Sequence, residues 1–290
     1  MKIINILKKI FIGGTWYVGI RDIHTIQTNK YTNVATAENQ WVADPFLFEE
    51  NGKHYLFCEQ YDNTKNKAGI SCYEIIDGKA TNGTLIIEES YHLSYPCVFK
   101  IKDKHYMIPE SSANNTIDLY VASEFPFKWS HKKTLLKGEK YVDSTIFFND
   151  NGILLLTYRN VSSGYELVIF SLDERSLELK FRTVKRFDEN VGRPAGFLFN
   201  QDGKIVRPAQ FCKNRYGESI LFYQFDGIED NQYREHHIGE MTVKGIDFPI
   251  AIQRIHTLNR DSRYEVVDLF KERIDLLHGL KILKRAYFQK

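Results

Sequence analysis

The chain has 290 residues, of which 43% are hydrophobic and 26% are charged, so it can bury a large core and has an ordinary globular composition. Its formal net charge of +2 excludes the strong positive field that is typical of nucleic-acid-binding domains. Aromatic residues make up 14% of the chain, which favours β-sheet.

The N-terminal stretch MKIINILKKIFIGG resembles a signal peptide, but Lys8 and Lys9 interrupt its apolar run and no clear cleavage site follows. No stretch reaches the ~18 apolar residues of a membrane-spanning helix, so we expect a cytoplasmic location. The cysteines lack CxxC spacing and predict buried thiols rather than disulfides or a zinc site: Cys58, Cys72, Cys97 and Cys212. Because nucleotide-binding and metal-binding motifs are missing, we predict no metal and no cofactor. The lack of a GxSxG motif leaves a nucleophilic serine unsupported.

A repeat organises the chain from about residue 40 onwards. Each copy has a polar opening residue, a short apolar strand that ends in Phe, a polar turn and a second apolar strand. The four copies are ADPFLFEENGKHYLFCE, SYPCVFKIKDKHYMIPE, DSTIFFNDNGILLLTYR and AGFLFNQDGKIVRPAQ. Their phenylalanines are 51, 49 and 51 residues apart, at Phe48, Phe99, Phe148 and Phe199. A weaker fifth copy has Leu258 at this position.

Each repeat continues with a second alternating segment: GISCYEI (69–75), IDLYVAS (117–123), YELVIFSL (165–172) and SILFYQF (219–225). Two hairpins per repeat give four strands, which is typical of a propeller blade. A two-sheet sandwich is the alternative, but it gives no reason for a constant period. We therefore predict an all-β, five-bladed β-propeller within a single domain, 1–290, with the propeller at about 30–270 and about 50 residues per blade.

The last segment, LFKERIDLLHGLKILKRAYFQK (269–290), has apolar residues at helical spacing and a basic end, which predicts an amphipathic helix. Two interpretations remain open. The helix caps the propeller, or it contacts an anionic membrane surface together with Lys2, Lys8 and Lys9 at the other terminus. The second interpretation places the protein peripherally at the inner face of a membrane.

The opening residues of the repeats are expected to meet at one mouth of the central channel, because each begins the innermost strand of a blade. They are Asp44, Tyr95, Asp143 with Ser144, Arg193 and His256. The residues predicted to end the second strands at the same mouth are Glu59, Glu110 and Arg207. Structural alternatives remain for each residue alone: the aspartates could form turns, and His92 and His256 could be core histidines.

Residues 190–219, NVGRPAGFLFNQDGKIVRPAQFCKNRYGES, contain Arg-Pro-Ala twice. Arg193 and Arg207 flank a hairpin, and further polar groups follow it: Gln210, Lys213, Arg215 and Glu218. Because a guanidinium binds phosphate or carboxylate in a bidentate manner, this stretch predicts an anionic group on the ligand. A solvated loop is the alternative for Lys213 and Arg215.

The opener ADPFLFEENGKHYLFCE resembles the first blade of glycoside hydrolase family 43 propellers and their arabinanase, invertase and levansucrase relatives. A longer series resembles the N-terminal propeller domain of the glucosamine inositolphosphorylceramide transferase family, from about Trp16 to Asp268. Its members are WVADPFLF, HLSYPCVF, YMIPES, EFPFKW, YVDSTIFF, GRPAGFLF, RPAQFCKNRYGES and IHTLN. The resemblance implies a role in glycan biosynthesis, since similar domains are typical of bacterial gene clusters for surface polysaccharides. In plant-type members of the family, the resemblance implies that a separate C-terminal domain performs the transfer.

The resemblance to the hydrolases implies that Asp44 is a general base, that Asp143 tunes the pKa of the acid, and that Glu110 is the candidate acid. Three functions therefore remain open: a glycosyltransferase, a glycosidase, and a non-catalytic module that binds a glycan or lipid-linked sugar. The transferase would take a phosphate-bearing sugar donor and a glycan or lipid-linked acceptor. The residues predicted to bind substrate are Glu59, His92, Tyr95, Arg193, Arg207, Gln210, Lys213, Arg215, Glu218 and His256.

Overall fold

Twenty-two β-strands and one 3₁₀ turn, Ser112–Asn114, make up the regular structure of the residues that the computed structural model describes, 12–25 and 29–274. The strands form five separate antiparallel sheets of four or five strands. Each sheet takes its strands from one predicted repeat, and the fifth also includes the beginning of the chain. The predicted five-bladed propeller is confirmed.

The chain begins with β1 (Ile12–Asp22) and β2 (Thr32–Asn33). The first blade contains β3 (Gln40–Glu50), β4 (Lys53–Asp62), β5 (Lys67–Ile76), β6 (Lys79–Ala80) and β7 (Thr84–Ile87). The second contains β8 (Ser94–Ile101), β9 (Lys104–Ser111), β10 (Thr116–Glu124) and β11 (Lys128–Lys137). The third contains β12 (Val142–Asn149), β13 (Gly152–Val161), β14 (Gly164–Leu172) and β15 (Leu179–Phe187). The fourth contains β16 (Arg193–Pro194), β17 (Phe199–Gln201), β18 (Lys204–Phe211), β19 (Ser219–Glu229) and β20 (Gln232–Met241), and the fifth adds β21 (Arg254–Arg260) and β22 (Tyr264–Ile274).

The fifth blade is closed by the start of the chain. β1 pairs with β22 from Ile12 opposite Ile274 to Asp22 opposite Tyr264, giving the order β2-β1-β22-β21. The sequence prediction began the propeller at about residue 30 and missed β1, because β1 lies outside the repeat. The predicted helix at 269–290 is wrong for residues 269–274, which belong to β22. The rest of that segment, and the three lysines at positions 2, 8 and 9, lie outside the described residues.

A two-on-one bulge interrupts the innermost strand at the same point in four blades. The paired residues are Asp44-Pro45 opposite Cys58, Tyr95-Pro96 opposite Pro109, Asp143-Ser144 opposite Thr157, and His256-Thr257 opposite Asp268. The first bulge residue of three blades has a left-handed backbone, with φ of 47° at Asp44, 47° at Tyr95 and 50° at Asp143. Such a conformation costs about 1 kcal/mol in a non-glycine residue and turns the side chain away from the ladder.

Aromatic rings from three blades close the channel beneath these bulges. The ring of Phe46 meets Tyr95 edge to face at a centroid distance of 4.7 Å and meets Phe197 at 4.9 Å. Phe46 and Tyr95 are fully buried, and burying such a ring contributes about 1.5–3 kcal/mol. We call this group of packed rings the floor, and the space above it, where the innermost strands begin, the funnel.

Candidate active site

Asp44 lies in a buried array of carboxylates around an imidazole. Its Oδ1 accepts a hydrogen bond from Thr257 Oγ1 at 2.9 Å and lies 3.4 Å from His256 Nε2. On the other side of the ring, His256 Nδ1 lies 2.6 Å from Asp268 Oδ2, an ion-pair contact that is not aligned as a hydrogen bond. Asp268 also accepts hydrogen bonds from the backbone amides of Asp44, His256 and Thr257. The imidazole is thus held between two carboxylates.

The surrounding protein raises the pKa of both members of the Asp44–His256 pair. Burial raises the pKa of Asp44 to about 8, and the charge of His256 opposes this shift. Burial also disfavours a charged imidazole, but Asp268 and Asp44 outweigh it and raise the pKa of His256 to about 9. His256 is therefore a cation at neutral pH. Asp44 has a pKa near physiological pH, which is the condition under which general acid–base catalysis is most efficient.

A second cluster surrounds Asp143. Arg193 donates from Nε to Asp143 Oδ2 and from Nη2 to Oδ1 at 3.1 Å, and the same Nη2 donates to Glu110 Oε2 at 3.3 Å. Gln210 Nε2 donates to Asp143 Oδ2 at 2.7 Å, and Ser112 Oγ donates to Glu110 Oε1 at 2.6 Å. Burial raises the pKa of Asp143 to about 7, although the charge of Arg193 opposes the shift.

A third pair, Glu59 and His92, joins the two clusters into one site. His92 Nε2 lies 3.2 Å from Glu59 Oε1, and the side chain of His92 is 39% exposed. Burial opposes its charged form, but Glu59 outweighs burial and raises the pKa of His92, with smaller effects from Glu110 and Asp44. The predicted residues that the structure brings together are Asp44, Glu59, His92, Glu110, Asp143, Arg193, Gln210 and His256.

Tyr95 lies under the funnel rather than in it. Its hydroxyl is 2.9 Å from Thr145 Oγ1 and accepts a hydrogen bond from the backbone amide of Gly196 at 2.7 Å. These contacts satisfy the hydroxyl within the protein and connect three blades. We therefore assign Tyr95 a structural role instead of the predicted ligand contact.

Arg207 faces away from the funnel. It lies three residues before Gln210 on β18, so the alternation of the strand directs it to the opposite face. Its side chain is 1% exposed and donates two hydrogen bonds of 2.7 Å to Glu235 and one of 3.1 Å to the carbonyl of Gly192. The sequence prediction placed Arg207 at a strand end, whereas β18 continues beyond it. The prediction that it holds a donor phosphate is wrong.

The loop after β18 has its polar groups paired with other residues of the protein. Lys213, Arg215 and Glu218 contact, in that order, Glu189 at 2.6 Å, Glu272 at 3.2 Å and Asn214 at 3.2 Å. Lys213 and Arg215 are about half exposed. These contacts fit the solvated-loop alternative. Each of the four cations that the sequence assigned to a donor phosphate therefore has a carboxylate partner.

The sequence analysis did not predict three residues of the site. Asp268 stands opposite a bulge, and the available signal was an acid within the apolar strand EVVDLF. Trp16 stacks on His256 with a centroid distance of 4.1 Å, but it belongs to β1, which is outside the repeat. Tyr216 packs edge-on against the same imidazole at 5.1 Å.

Asp44, His256 and Asp268 also form the one group in the described part of the chain whose atoms could ligate a metal ion, since one atom of each lies within 4.8 Å of the others. The donor set fits a metal poorly. Asp268 already accepts three amide hydrogen bonds, and the raised pKa of His256 favours the protonated form, which is not a ligand. We therefore describe the group as an ion-pair array.

The described residues, 12–25 and 29–274, contain no helix with the length and apolar character that a membrane span requires.

A protein-family model described as "Glucosamine inositolphosphorylceramide transferase 1, N-terminal" matches residues 21–247. Similar curated proteins of that name come from rice (Oryza sativa subsp. japonica), 30% identical over 207 residues, and Arabidopsis thaliana, 29% identical over 222 residues. These alignments cover 68% and 71% of this chain but only 28% of each relative. The chain thus spans little more than a quarter of the length of the curated relatives that it matches.

Glycoside hydrolases are among the solved structures with a similar fold. The GH43_1 enzyme from Xanthomonas citri complexed with xylose has a TM-score of 0.56 at 11% identity, covering 82% of this chain and 87% of its own. A family 117 glycoside hydrolase from Zobellia galactanivorans has a TM-score of 0.55 at 10% identity, with coverages of 90% and 92%. At these identities the likeness shows the propeller fold alone.

Proposed function

Because the chain belongs to the family of the N-terminal region of glucosamine inositolphosphorylceramide transferase 1, we propose that its funnel carries out glycosyl transfer to a lipid-linked acceptor. The hydroxyl oxygen of the acceptor forms a bond to the anomeric carbon of the donor sugar. The bond between that carbon and the donor phosphate breaks, and the hydroxyl proton passes to Asp44.

The observation that carries this proposal is the position of Asp44 against His256. The carboxyl is buried, its pKa is about 8, and the imidazolium beside it stabilises the carboxylate that must accept the proton. Thr257 donates to the same oxygen, and Asp268 fixes the ring from behind. Asp44 is the first residue of a bulge at the start of the innermost strand and has a left-handed backbone.

Among the four predicted cations we assign the contact with the donor phosphate to Arg193, because it belongs to the Asp143 cluster of the funnel. Its side chain is 21% exposed, whereas Arg207 is buried against Glu235. Asp143, the partner of Arg193, has a pKa of about 7. Protonation of Asp143 would release the guanidinium to a phosphate, for which its bidentate geometry is suited. The proposal therefore includes a sugar donor that carries a phosphate group, which Arg193 would contact.

Glycoside hydrolysis is the second candidate, favoured by two carboxyl groups with raised pKa values, Asp44 and Asp143, in one funnel. A binding module that presents a sugar to a separate transferase is the third, since the aligned part of the chain covers 28% of the length of the rice relative.

We further propose that the protein acts in surface-glycan assembly, in the cytoplasm and peripherally at a membrane. Co-sedimentation of the protein with anionic vesicles tests the membrane contact.

The decisive experiment incubates the protein with nucleotide sugars and vesicles of inositolphosphorylceramide, and mass spectrometry measures glycolipid and free sugar. We expect glycolipid from the wild type and a loss of about 10²–10⁴-fold in Asp44→Asn. Asp118→Asn is the matched control, because Asp118 is equally buried but lies on β10, where hydroxyl groups hold it. Release of free sugar alone supports the hydrolase. Sugar binding without either product, unchanged in Asp44→Asn, supports the binding module.

A further inference from the structure

Tyr216 is the exposed aromatic residue of the funnel. It packs edge-on against Trp16 at 6.2 Å and against His256 at 5.1 Å, and the guanidinium of Arg193 lies 5.5 Å from the centre of its ring. His256 belongs to the Asp44 array and Arg193 to the Asp143 cluster. Tyr216 therefore touches both charged clusters of the site at once.

The backbone holds Tyr216 in place. Gly217 has a φ of 66°, and a Cβ at this position would lie 3.0 Å from the ring of Trp16 and 3.3 Å from His256 Cβ. The carbonyl of Gly217 accepts a hydrogen bond from the amide of Ile255 at 3.0 Å, so the loop is attached to β21. A glycine here lets the chain approach the imidazole closely. The position of Tyr216 is thus fixed before any ligand binds.

The hydroxyl of Tyr216 has no hydrogen-bond partner among the described residues, although 42% of the side chain is exposed and the rest packs against the site. Burial raises the pKa of the phenol well above its usual value; the charge of Arg193 opposes this shift, and the charges of Asp44 and Asp143 add to it. The hydroxyl therefore keeps its proton and is a donor at the mouth of the site.

We propose that Tyr216 contacts the bound sugar, with its ring against the C–H face of the pyranose and its hydroxyl hydrogen-bonded to a sugar oxygen. This inference rests on the proposed function, because it assumes that the funnel binds a sugar. Because the ring of Tyr216 is already held by Trp16 and His256, a sugar can pack against it with little loss of side-chain entropy. The Tyr216 hydroxyl has no hydrogen-bond partner among the described residues and is available to donate to the ligand. Packing alone does not require the hydroxyl, since the protein makes no use of it.

The test measures the dissociation constants of N-acetylglucosamine, glucosamine, glucose and mannose, using tryptophan fluorescence, in which Trp16 reports on the funnel. Tyr216→Phe removes only the hydroxyl, and Tyr216→Ala removes the ring. Phe181→Ala is the control for truncation, because Phe181 is 58% exposed on β15, far from the funnel. Circular dichroism verifies that every variant is folded.

We expect the best-bound sugar to bind about two- to tenfold more weakly to Tyr216→Phe, and more weakly still to Tyr216→Ala, with no change in Phe181→Ala. Equal affinity in the wild type and both Tyr216 variants overturns the inference and leaves the proposed function standing. If the wild type binds none of the four sugars, nor any nucleotide sugar tested in the transfer assay, both fall together.

Discussion

The buried pair of Arg207 and Glu235 makes the sharpest prediction about stability. Their side chains are 1% and 0% exposed, and two hydrogen bonds of 2.7 Å join them. Glu235→Gln keeps the shape of the side chain but leaves a guanidinium buried without this counter-charge. Breaking a buried ion pair from one side costs about 3–5 kcal/mol. At about 2 °C per kcal/mol for a chain of this size, we expect Tm to fall by about 6–10 °C.

A double variant distinguishes the cost of one unpaired buried charge from the cost of losing the ion pair itself. Arg207→Met combined with Glu235→Leu replaces both charges with apolar groups, so we expect it to recover part of the lost stability. The recovery is partial because Lys185 Nζ and the hydroxyl of Tyr233, which lie 3.1 Å and 3.0 Å from Glu235, lose this partner. Tm by calorimetry and the free energy of unfolding in urea are the measurements. The reasoning is refuted if Arg207→Met keeps full stability but loses affinity for nucleotide sugars, because Arg207 would then be a ligand contact.

The pair also predicts a response to acid. Burial alone raises the pKa of Glu235, but Arg207 and, more weakly, Lys185 outweigh burial through their charges and hydrogen bonds and lower the pKa below the ordinary 4.5. The stability from this carboxylate is therefore complete above about pH 4.5 and is lost as the pH falls through the lower value in the folded protein. In Glu235→Gln this part of the acid dependence should disappear. An unchanged acid transition would contradict the assignment.

Two further predictions concern the funnel and its floor. The pKa of His256 is raised from 6.5 to about 9 and that of Asp44 from 3.8 to about 8, so the folded protein holds protons that the unfolded chain has lost. The free energy of unfolding should therefore fall as the pH rises, through Asp44 between about pH 4 and pH 8 and through His256 between about pH 6.5 and pH 9. A slope above pH 6.5 that persists unchanged in His256→Asn would contradict the assignment of this pH dependence to the array. Gly196→Ala should lower the free energy of unfolding by more than about 2 kcal/mol, because φ is 128° and a Cβ would overlap the carbonyl oxygen of Leu258. The control Gly203→Ala should cost about 1 kcal/mol, because φ is 78° but nothing lies within 4 Å of the new Cβ. Equal losses of the two variants in urea unfolding would show that close packing is not the cause.

The sequence predicts the architecture because the repeat is a direct consequence of the fold. A period near fifty residues with a fixed phase of Phe, turn and apolar strand requires equivalent units, and units that bury both faces must pack side by side. The same logic fails at β1, which supplies a strand to the last blade without repeating its sequence. It also fails at Arg207, because the direction of a side chain depends on where β18 begins and ends, which the repeat does not define.

The position of the candidate base was predictable, but its chemistry was not. Asp44, Tyr95 and Asp143 occupy one phase of the repeat and share a left-handed bulge, so their recurrence reports a backbone feature. Tyr95 shows that this feature alone gives no reactivity, since Thr145 and Gly196 satisfy its hydroxyl. Asp44 differs because the fifth blade places an imidazolium beside it and Asp268 behind that ring.

Those partners lie more than 200 residues away along the chain, and only the closure of the ring brings them to the first blade. The pKa of Asp44 is therefore a property of the interface between the first and last blades. Asp143 obtains its partners in the same way, from Glu110 on the second blade and Arg193 on the fourth. In this propeller the bulges give equivalent backbone positions to Asp44, Tyr95 and Asp143, and the contacts between blades decide which of these side chains can move a proton.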